Sequence, residues 1–176
     1  MRRALRSAKD LRAAVGLPPR PTPSTDFPVL APWPIVRRIR PGDENDPILK
    51  QLLSQPEEAL KLPGFSPDPL DEQAASPTPG LIHKYAGRAL LIATGACALH
   101  CRYCFRREFP YSEHASGRLR QALERIAQQP DLEEIILSGG DPLSLDDERF
   151  SQLVTQLENI AHVRTLRIHT PVSYTL

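Results

Sequence analysis

The sequence predicts an α/β protein in which a parallel sheet follows a proline-rich, mainly helical N-terminal segment. Fifteen of the 19 prolines lie in residues 1–80, so this region can hold only short helices joined by extended chain. After residue 80, apolar runs typical of buried strands alternate with stretches of helical periodicity. This alternation is typical of parallel strands joined by helical crossovers. We therefore expect a first region of residues 1–80 and a core of residues 81–176.

One helix is clearly indicated in the first region. Asp46 is a suitable N-cap, and Pro47 suits the first helical position. The apolar residues of this helix share one side: Ile48, Leu49, Leu52 and Leu53. A second short helix is predicted over residues 56–61, and residues 17–35 are predicted to be extended with apolar anchors.

Three strands and two helices are predicted in the core. Residues 89–94 form a continuous apolar run, as expected for a strand buried on both faces, and residues 134–137 and 163–168 are predicted to be the second and third strands. The helices between them have apolar residues at helical spacing: Leu119, Ala122, Leu123, Ile126 and Ala127, then Phe150, Leu153, Val154, Leu157 and Ile160. The order predicts a parallel sheet with right-handed crossovers and a ligand site at the carboxyl ends of its strands.

Composition excludes several functions. The formal net charge is +1, which does not indicate a nucleic-acid partner or an anionic membrane surface. No apolar run reaches the roughly 18 residues of a membrane span, and the basic N-terminus is not followed by the apolar run of a secretory signal. An odd number of clustered cysteines does not make a disulfide framework, so we expect a reducing cytoplasm.

All three cysteines of the chain, Cys97, Cys101 and Cys104, lie in one C-x3-C-x2-C run after the first predicted strand. Ordinary buried cysteines need not cluster in this way. A structural zinc site needs a fourth ligand, which His100 or His114 could supply, but zinc sites usually have paired C-x2-C motifs. Three thiolates can instead bind three irons of a cubane cluster and leave the fourth iron open to a small molecule.

A second unusual loop, Ser138-Gly-Gly-Asp-Pro142, follows the second strand. Two glycines let the backbone approach a ligand closely. An ordinary strand-to-helix turn has the same residue types, so this motif alone does not decide between the two. Both loops fall at the carboxyl ends of predicted parallel strands, and this favours a shared ligand site.

The cysteine motif, with Tyr103 and Phe105 beside its last cysteine, resembles that of the radical S-adenosylmethionine (SAM) enzymes. Within them the chain is similar to the lysine 2,3-aminomutase family. The similar segments are Asn45–Ile48, Pro67–Leu70, His83–Arg88, Cys101–Arg107, Ser138–Leu143 and Arg167–His169. The run FRR at residues 105–107, followed by FPY at 109–111, is similar to the branch that makes (R)-β-lysine for elongation factor P.

The resemblance implies a partial (β/α) radical-SAM barrel, of which the chain has the first three strands. It implies a [4Fe–4S] cluster and SAM, which together yield an adenosyl radical, and pyridoxal 5′-phosphate, on which the amino group of a lysine substrate migrates from the α to the β carbon. The activity is that of an isomerase. Elongation factor P is then a downstream target of the product.

The resemblance also assigns site residues. Cys97, Cys101 and Cys104 bind the cluster. Ser138, Gly139, Gly140 and Asp141 contact SAM. Lys84, Tyr85 and Arg88 correspond to residues around the pyridoxal phosphate, although the better-known aminomutases have arginine at position 84. Arg106 corresponds to the residue that binds the substrate carboxylate.

The similarity ends after Thr170, and the lysine that forms an imine with the coenzyme has no counterpart among Lys9, Lys50, Lys61 and Lys84. Three strands cannot close a barrel, and the last strand is expected to leave an open apolar edge. We therefore expect a truncated member, inactive as an aminomutase unless a second polypeptide completes it. The alternatives are a non-catalytic iron–sulfur or zinc-binding fragment and a different radical-SAM enzyme.

Overall fold

A computed structural model describes residues 4–21, 27–60, 62–66, 68–111 and 118–171. The chain divides into two compact units. Among the described residues, the first covers the ranges 4–69 and 98–108, and the second covers the ranges 70–97 and 109–171. The chain thus passes between units within the cysteine motif. The predicted boundary at residue 80 stays a prediction.

The first unit contains three short helices and a small ribbon. The helices are α1 (Ala8–Ala14), α2 (Trp33–Val36) and α3 (Pro47–Leu52), and strands β1 (Ala4–Leu5) and β2 (Ala31–Pro32) pair antiparallel. The predicted helix after Asp46 is confirmed: the Asp46 carboxylate accepts hydrogen bonds from the backbone N–H groups of Ile48 (2.8 Å) and Leu49 (3.1 Å). Such a cap satisfies donors that have no partner inside the helix.

Two other predictions for this unit need correction. The predicted helix over residues 56–61 is a single 3-10 turn, Pro56–Ala59, and residue 61 lies outside the described residues. The predicted extended stretch 17–35 ends in helix α2, because Trp33 begins a helical turn that can accept a proline in its first positions. Helix α1, which was not predicted, begins at a Ser7 cap that accepts from the Asp10 N–H.

The second unit is built on one four-stranded sheet, β3-β4-β5-β6. Its strands are β3 (Leu81–Tyr85), β4 (Arg88–Thr94), β5 (Glu134–Gly139) and β6 (Thr165–Ile168). β4 pairs parallel with β5, and β5 pairs parallel with β6, which confirms the predicted parallel arrangement. The α/β class is therefore correct, and the barrel stays a proposal.

Strand β3 is a correction to the predicted three-strand sheet. It pairs antiparallel with β4 through a tight hairpin at Ala86-Gly87, where Gly87 has φ 76°. Residues 81–85 mix apolar and polar side chains, so they lack the continuous apolar run that marked β4. A two-residue hairpin brings such a strand into register without a crossover helix.

Helices α4 (Arg118–Ala127) and α5 (Asp147–Glu158) precede β5 and β6, close to the predicted ranges. Their apolar faces join the strands in one buried cluster: Leu81, Ala89, Leu91, Ala122, Ile126, Leu132, Ile135, Leu137, Leu153 and Leu157. In the described part of the sheet β6 is an edge strand. Its exposed residues are Thr165, Arg167 and Ile168, so both polar and apolar side chains are exposed on it. Charge on an edge opposes strand-to-strand aggregation.

Candidate functional site

Residues 98–108, which contain Cys101 and Cys104, belong to the first unit. Leu99 is buried in the apolar core of that unit, and Cys101 packs against the same core. The Cys104 N–H donates to the Cys101 carbonyl at 3.1 Å, so a turn joins the two cysteines. All three cysteines are free thiols and partly exposed. Burial raises the pKa of the Cys101 thiol, because a buried site disfavours the charged form.

The aromatic ring of Phe27 provides a platform under this segment. His100 stacks on it with ring centroids 4.9 Å apart, and its Nδ1 lies 2.9 Å from the Pro28 carbonyl oxygen. The guanidinium groups of Arg102 and Arg107 lie 5.3 and 5.4 Å from the ring centroid. These are distances at which a cation is attracted to a ring face. The backbone of residues 27–28 thus supports both sides of Cys101.

The carboxylate of Glu58 binds both of these arginines. It pairs with Arg102 through Nε (3.2 Å) and Nη2, and with Arg107 through Nη1 (2.8 Å). Burial acts to raise the pKa of Glu58, but hydrogen bonds from Arg102, Arg107 and the Gln55 N–H outweigh it, and the pKa lies below its usual value. Glu58 is therefore a carboxylate at neutral pH.

Arg106, the predicted partner of a substrate carboxylate, is also a buried residue of this unit. Its guanidinium lies 4.7 Å from the ring centroid of Phe105. This ring is nearly half exposed. The assignment of Arg106 to a substrate carboxylate stays a proposal.

The Gly-Gly loop of the second unit is held by main-chain contacts to the end of β4. The Gly140 N–H donates to the Thr94 carbonyl, and the Asp141 N–H donates to the Ala96 carbonyl, both at 2.7 Å. A Cβ on Gly139, whose φ is +114°, would lie 2.5 Å from the Thr94 oxygen. A Cβ on Gly140 would overlap the Ala96 carbonyl group. The protein's own backbone is thus sufficient reason for both glycines.

Asp141 and Ser138 are both buried residues of this loop. The Asp141 carboxylate accepts from the Leu143 N–H at 2.9 Å, and the hydroxyl of Thr170 lies 2.7 and 2.9 Å from its two oxygens. Thr170 follows β6, so this contact joins the carboxyl ends of β5 and β6. The assignment of Asp141 to SAM stays a proposal.

Tyr111 is a further contact of the Gly-Gly loop. Its hydroxyl donates to the Gly139 carbonyl at 2.8 Å, and a Cβ on Gly95 would lie 3.1 Å from its ring. Phe109 packs against it with centroids 4.9 Å apart. The sequence motif FPY was assigned to a branch of the family, but its contact with the loop was not predicted.

The three residues assigned to pyridoxal phosphate lie around the β3–β4 hairpin. Lys84 donates to the Leu70 carbonyl and, with Tyr85, lines an open depression of about 440 Å³. Arg88 pairs with Glu134 at 3.8 Å. Because Arg88 begins β4 (Arg88–Thr94), it lies about 20 Å along the strand direction from the carboxyl end of that strand. The structure therefore places these residues together, but at the amino end of β4.

The predicted site residues thus fall into three groups: residues of the cysteine motif, the Gly-Gly loop and the β3–β4 hairpin. Within the described residues, no three His, Cys, Asp or Glu side chains stand close enough together to hold a metal ion. The donors nevertheless fit an iron–sulfur cluster in kind, since three free thiols are available in C-x3-C-x2-C spacing. Glu58 and Thr170 were not predicted. The only local sign of Glu58 was the Q-P-E-E pattern of a capping box, in which the Gln55 N–H donates to Glu58 at 2.8 Å.

Comparison with known proteins identifies the class. Residues 91–174 match the Radical SAM superfamily. This range contains all three cysteines, the Gly-Gly loop and strands β5 and β6. The superfamily implies a [4Fe–4S] cluster and SAM, as the cysteine motif predicted.

Curated relatives narrow the class further. Over 82% of its length the chain is 48% identical to the L-lysine 2,3-aminomutase of Escherichia coli and 43% identical to that of Haemophilus influenzae, and over 76% it is 39% identical to that of Clostridium subterminale. The chain belongs to the lysine 2,3-aminomutase family of the radical SAM superfamily. It spans 42%, 43% and 33% of the lengths of these three relatives.

No helix in the described ranges is long and apolar enough to cross a bilayer.

Proposed function

We propose that this chain contributes the cluster-binding and SAM-binding part of an aminomutase that converts L-α-lysine to (R)-β-lysine for the modification of elongation factor P. The observation that supports it is the C-x3-C-x2-C motif within a stretch 48% identical to an L-lysine 2,3-aminomutase. Because the aligned stretch covers only 42% of that relative, we propose that isomerase activity also requires the residues that make up its remaining length. Three free thiols fit the reducing cytoplasm.

In this proposal Cys97, Cys101 and Cys104 bind the cluster as thiolates. When bound, a reduced cluster and SAM supply a carbon radical that can remove hydrogen from an unactivated carbon. The raised pKa of Cys101 means that metal binding at this residue releases a proton. Ser138, Gly139, Gly140 and Asp141 are the proposed SAM contacts.

The role of the protein in this chemistry is to bind and orient the reacting groups and to exclude water. The backbone bonds from Gly140 and Asp141 to Thr94 and Ala96 restrain the chain that enters the cysteine motif. The Thr170 hydroxyl contributes a hydrogen bond to the Asp141 carboxylate, which helps to keep that charge in a buried site. Arg106 is the proposed partner of the substrate carboxylate, for which a guanidinium provides two parallel donors.

Anaerobic reconstitution tests the cluster. The wild-type chain is expected to take up about four irons and to show an electron paramagnetic resonance signal that changes when SAM is added. Cys97→Ala, Cys101→Ala and Cys104→Ala should each lose this signal. Uptake of one zinc and no iron would contradict the proposal, and a cluster that releases no deoxyadenosine with reductant would favour a non-catalytic module.

We further propose pyridoxal phosphate as a cofactor, held at its phosphate by Lys84, Tyr85 and Arg88. Three neighbouring polar residues and the open depression beside Lys84 support it. An absorbance titration with pyridoxal phosphate is expected to show weaker binding in Arg88→Gln than in the wild type. Arg120→Gln, at an exposed arginine of α4, is the control, and equal affinities would overturn the assignment.

A further inference from the structure

One carboxylate, that of Glu58, binds the segment between Cys101 and Arg107 at two arginines, Arg102 and Arg107. We propose that Glu58 is a positioning residue that holds this segment in the conformation in which Cys101 and Cys104 bind a cluster. The inference rests on the proposed function, because it takes these cysteines as cluster ligands. No motif of the cysteine loop contains Glu58, which lies 44 residues before Arg102.

Four donors converge on the two oxygens of Glu58. Oε1 accepts from the Gln55 N–H at 2.8 Å and from Arg102 Nε at 3.2 Å. Oε2 accepts from Arg107 Nη1 at 2.8 Å and pairs with Arg102 Nη2. Arg102 and Arg107 lie on opposite sides of Cys104 in the sequence. One carboxylate therefore fixes the chain on both sides of a proposed ligand, and the two-point contact with Arg102 also sets its orientation.

Burial makes this pairing obligatory. The side chains of Arg102 and Glu58 are 6% and 16% exposed, and an unpaired charge in such a place is strongly unfavourable. Arg102 is restrained twice more, since its Nη1 donates to the Phe27 carbonyl at 2.7 Å and its backbone N–H to the Gln51 carbonyl at 2.8 Å. Removal of the Glu58 charge would take away the carboxylate that balances the charges of both Arg102 and Arg107.

A purely local role for Glu58 would be that of helix capping. Its hydrogen bond to the Gln55 N–H belongs to a capping box of a four-residue 3-10 turn. Capping uses only one of its oxygens, whereas the second oxygen contacts arginines alone. Two cations also surround a site for thiolates, so Glu58 limits the positive charge there. Local charge is one of the properties that set the potential of an iron–sulfur cluster.

Hydrogen exchange of the metal-free full chain, reduced and under anaerobic conditions, tests the positioning directly. Peptides that cover residues 98–108 should exchange about tenfold faster in Glu58→Gln than in the wild type, as expected for the loss of a charge-assisted hydrogen bond. The matched control is Glu57→Gln, at the exposed neighbouring glutamate, which should exchange at the wild-type rate. Peptides of α1 in the same unit should be unchanged in both variants.

If Glu58→Gln unfolds the unit, α1 peptides will exchange faster as well. Arg107→Gln then serves as the second variant, because it keeps the buried Arg102 pair, and it should accelerate exchange of 98–108 by a smaller factor. After reconstitution, the reduction potential of the cluster is measured in Glu58→Gln and Arg107→Gln. A merely structural role of Glu58 would not change this potential. We expect a higher reduction potential in Glu58→Gln and a lower one in Arg107→Gln.

Equal exchange of 98–108 in Glu58→Gln and Glu57→Gln would overturn the positioning role, even if both assemble a cluster. Faster exchange with no difference in potential would reduce Glu58 to a structural residue and also overturn it. A wild-type chain that assembles no cluster would instead overturn the proposed function.

Discussion

The two loops proposed to bind cofactors are held in place by different kinds of interaction. In residues 98–108, side-chain charges add to the backbone hydrogen bond from Arg102 to Gln51, with Glu58 between Arg102 and Arg107. The Gly-Gly loop is held by main-chain hydrogen bonds from Gly140 and Asp141, and has no room for a Cβ. A loop held by charges should respond to pH and to charge removal, whereas a loop held by backbone contact should respond to added volume.

The largest expected effect is that of Gly140→Ala. Its Cβ would overlap the Ala96 carbonyl, and backbone cannot move aside as a flexible side chain can. We expect a loss of about 4 kcal/mol in the free energy of unfolding, at the upper end for single substitutions. Urea denaturation measures it.

Gly87→Ala is the matched control for Gly140→Ala. Gly87 also lies in the second unit and has φ 76°, but its Cβ would meet only the Asp131 oxygen at an ordinary 3.8 Å. We expect a loss of about 1 kcal/mol from backbone strain alone. Equal losses in the two variants would show that close approach is not what holds the Gly-Gly loop.

Removal of a buried charge in residues 98–108 is expected to have the next largest effect. Arg102→Met leaves Glu58 with one arginine fewer in a largely buried place, and we expect a loss of about 3 kcal/mol in unfolding free energy. Arg20→Met, in the same unit, removes an exposed arginine 3.1 Å from Glu44 and should cost less than about 0.5 kcal/mol. Similar values for both would mean that the Arg102 pair is no stronger than a surface pair.

Thr170→Val tests a side-chain contact that supports the Gly-Gly loop from the residues that follow β6. The variant keeps the shape of the residue but removes a hydroxyl that lies 2.7 Å from the buried Asp141 carboxylate. We expect a loss of about 2 kcal/mol in the free energy of unfolding, from a buried acceptor left short of a donor. Thr165→Val, at an exposed position of β6, should change stability little, and a similar loss there would contradict the Asp141 contact.

The smallest expected effect is that of acid on residues 98–108. Because the pKa of Glu58 lies below its usual value of 4.5, the stability contributed by its charge is complete above that value and is lost as the pH falls through the lowered pKa. Burial acts to raise the pKa of Asp46, but its hydrogen bonds outweigh this effect and lower the pKa below 3.8. The stability contributed by the Asp46 charge is therefore also lost only in acid.

Hydrogen exchange from pH 7 to pH 3, corrected for the intrinsic rate, should therefore show faster exchange of 98–108 only below about pH 4. Glu58→Gln should remove the part of this dependence that belongs to Glu58. If the protection of residues 98–108 in the wild type is constant from pH 7 to pH 3, the Glu58 charge does not stabilise this segment.

Much of the fold could be predicted because its signals are local. The apolar run of β4, the helical spacing of α4 and α5, and the Asp46 cap with Pro47 after it each report the environment of neighbouring residues. Strand β3 was missed because its mixed residues resemble a loop when read alone, and it becomes a strand only by pairing with β4. Helix α2 could not be predicted for a related reason, since a proline-rich stretch favours extended chain when read alone.

By itself the sequence determined the fold class, the cysteine spacing and the membership of a radical SAM family, because all three are recorded in patterns within short stretches of chain. Only the tertiary structure decided that Glu58 pairs with Arg102 and that Thr170 contacts Asp141. It also decided that the glycines are required by neighbouring backbone. These contacts join residues tens of positions apart, and whether a charged or small residue is buried depends on what the folded chain brings against it.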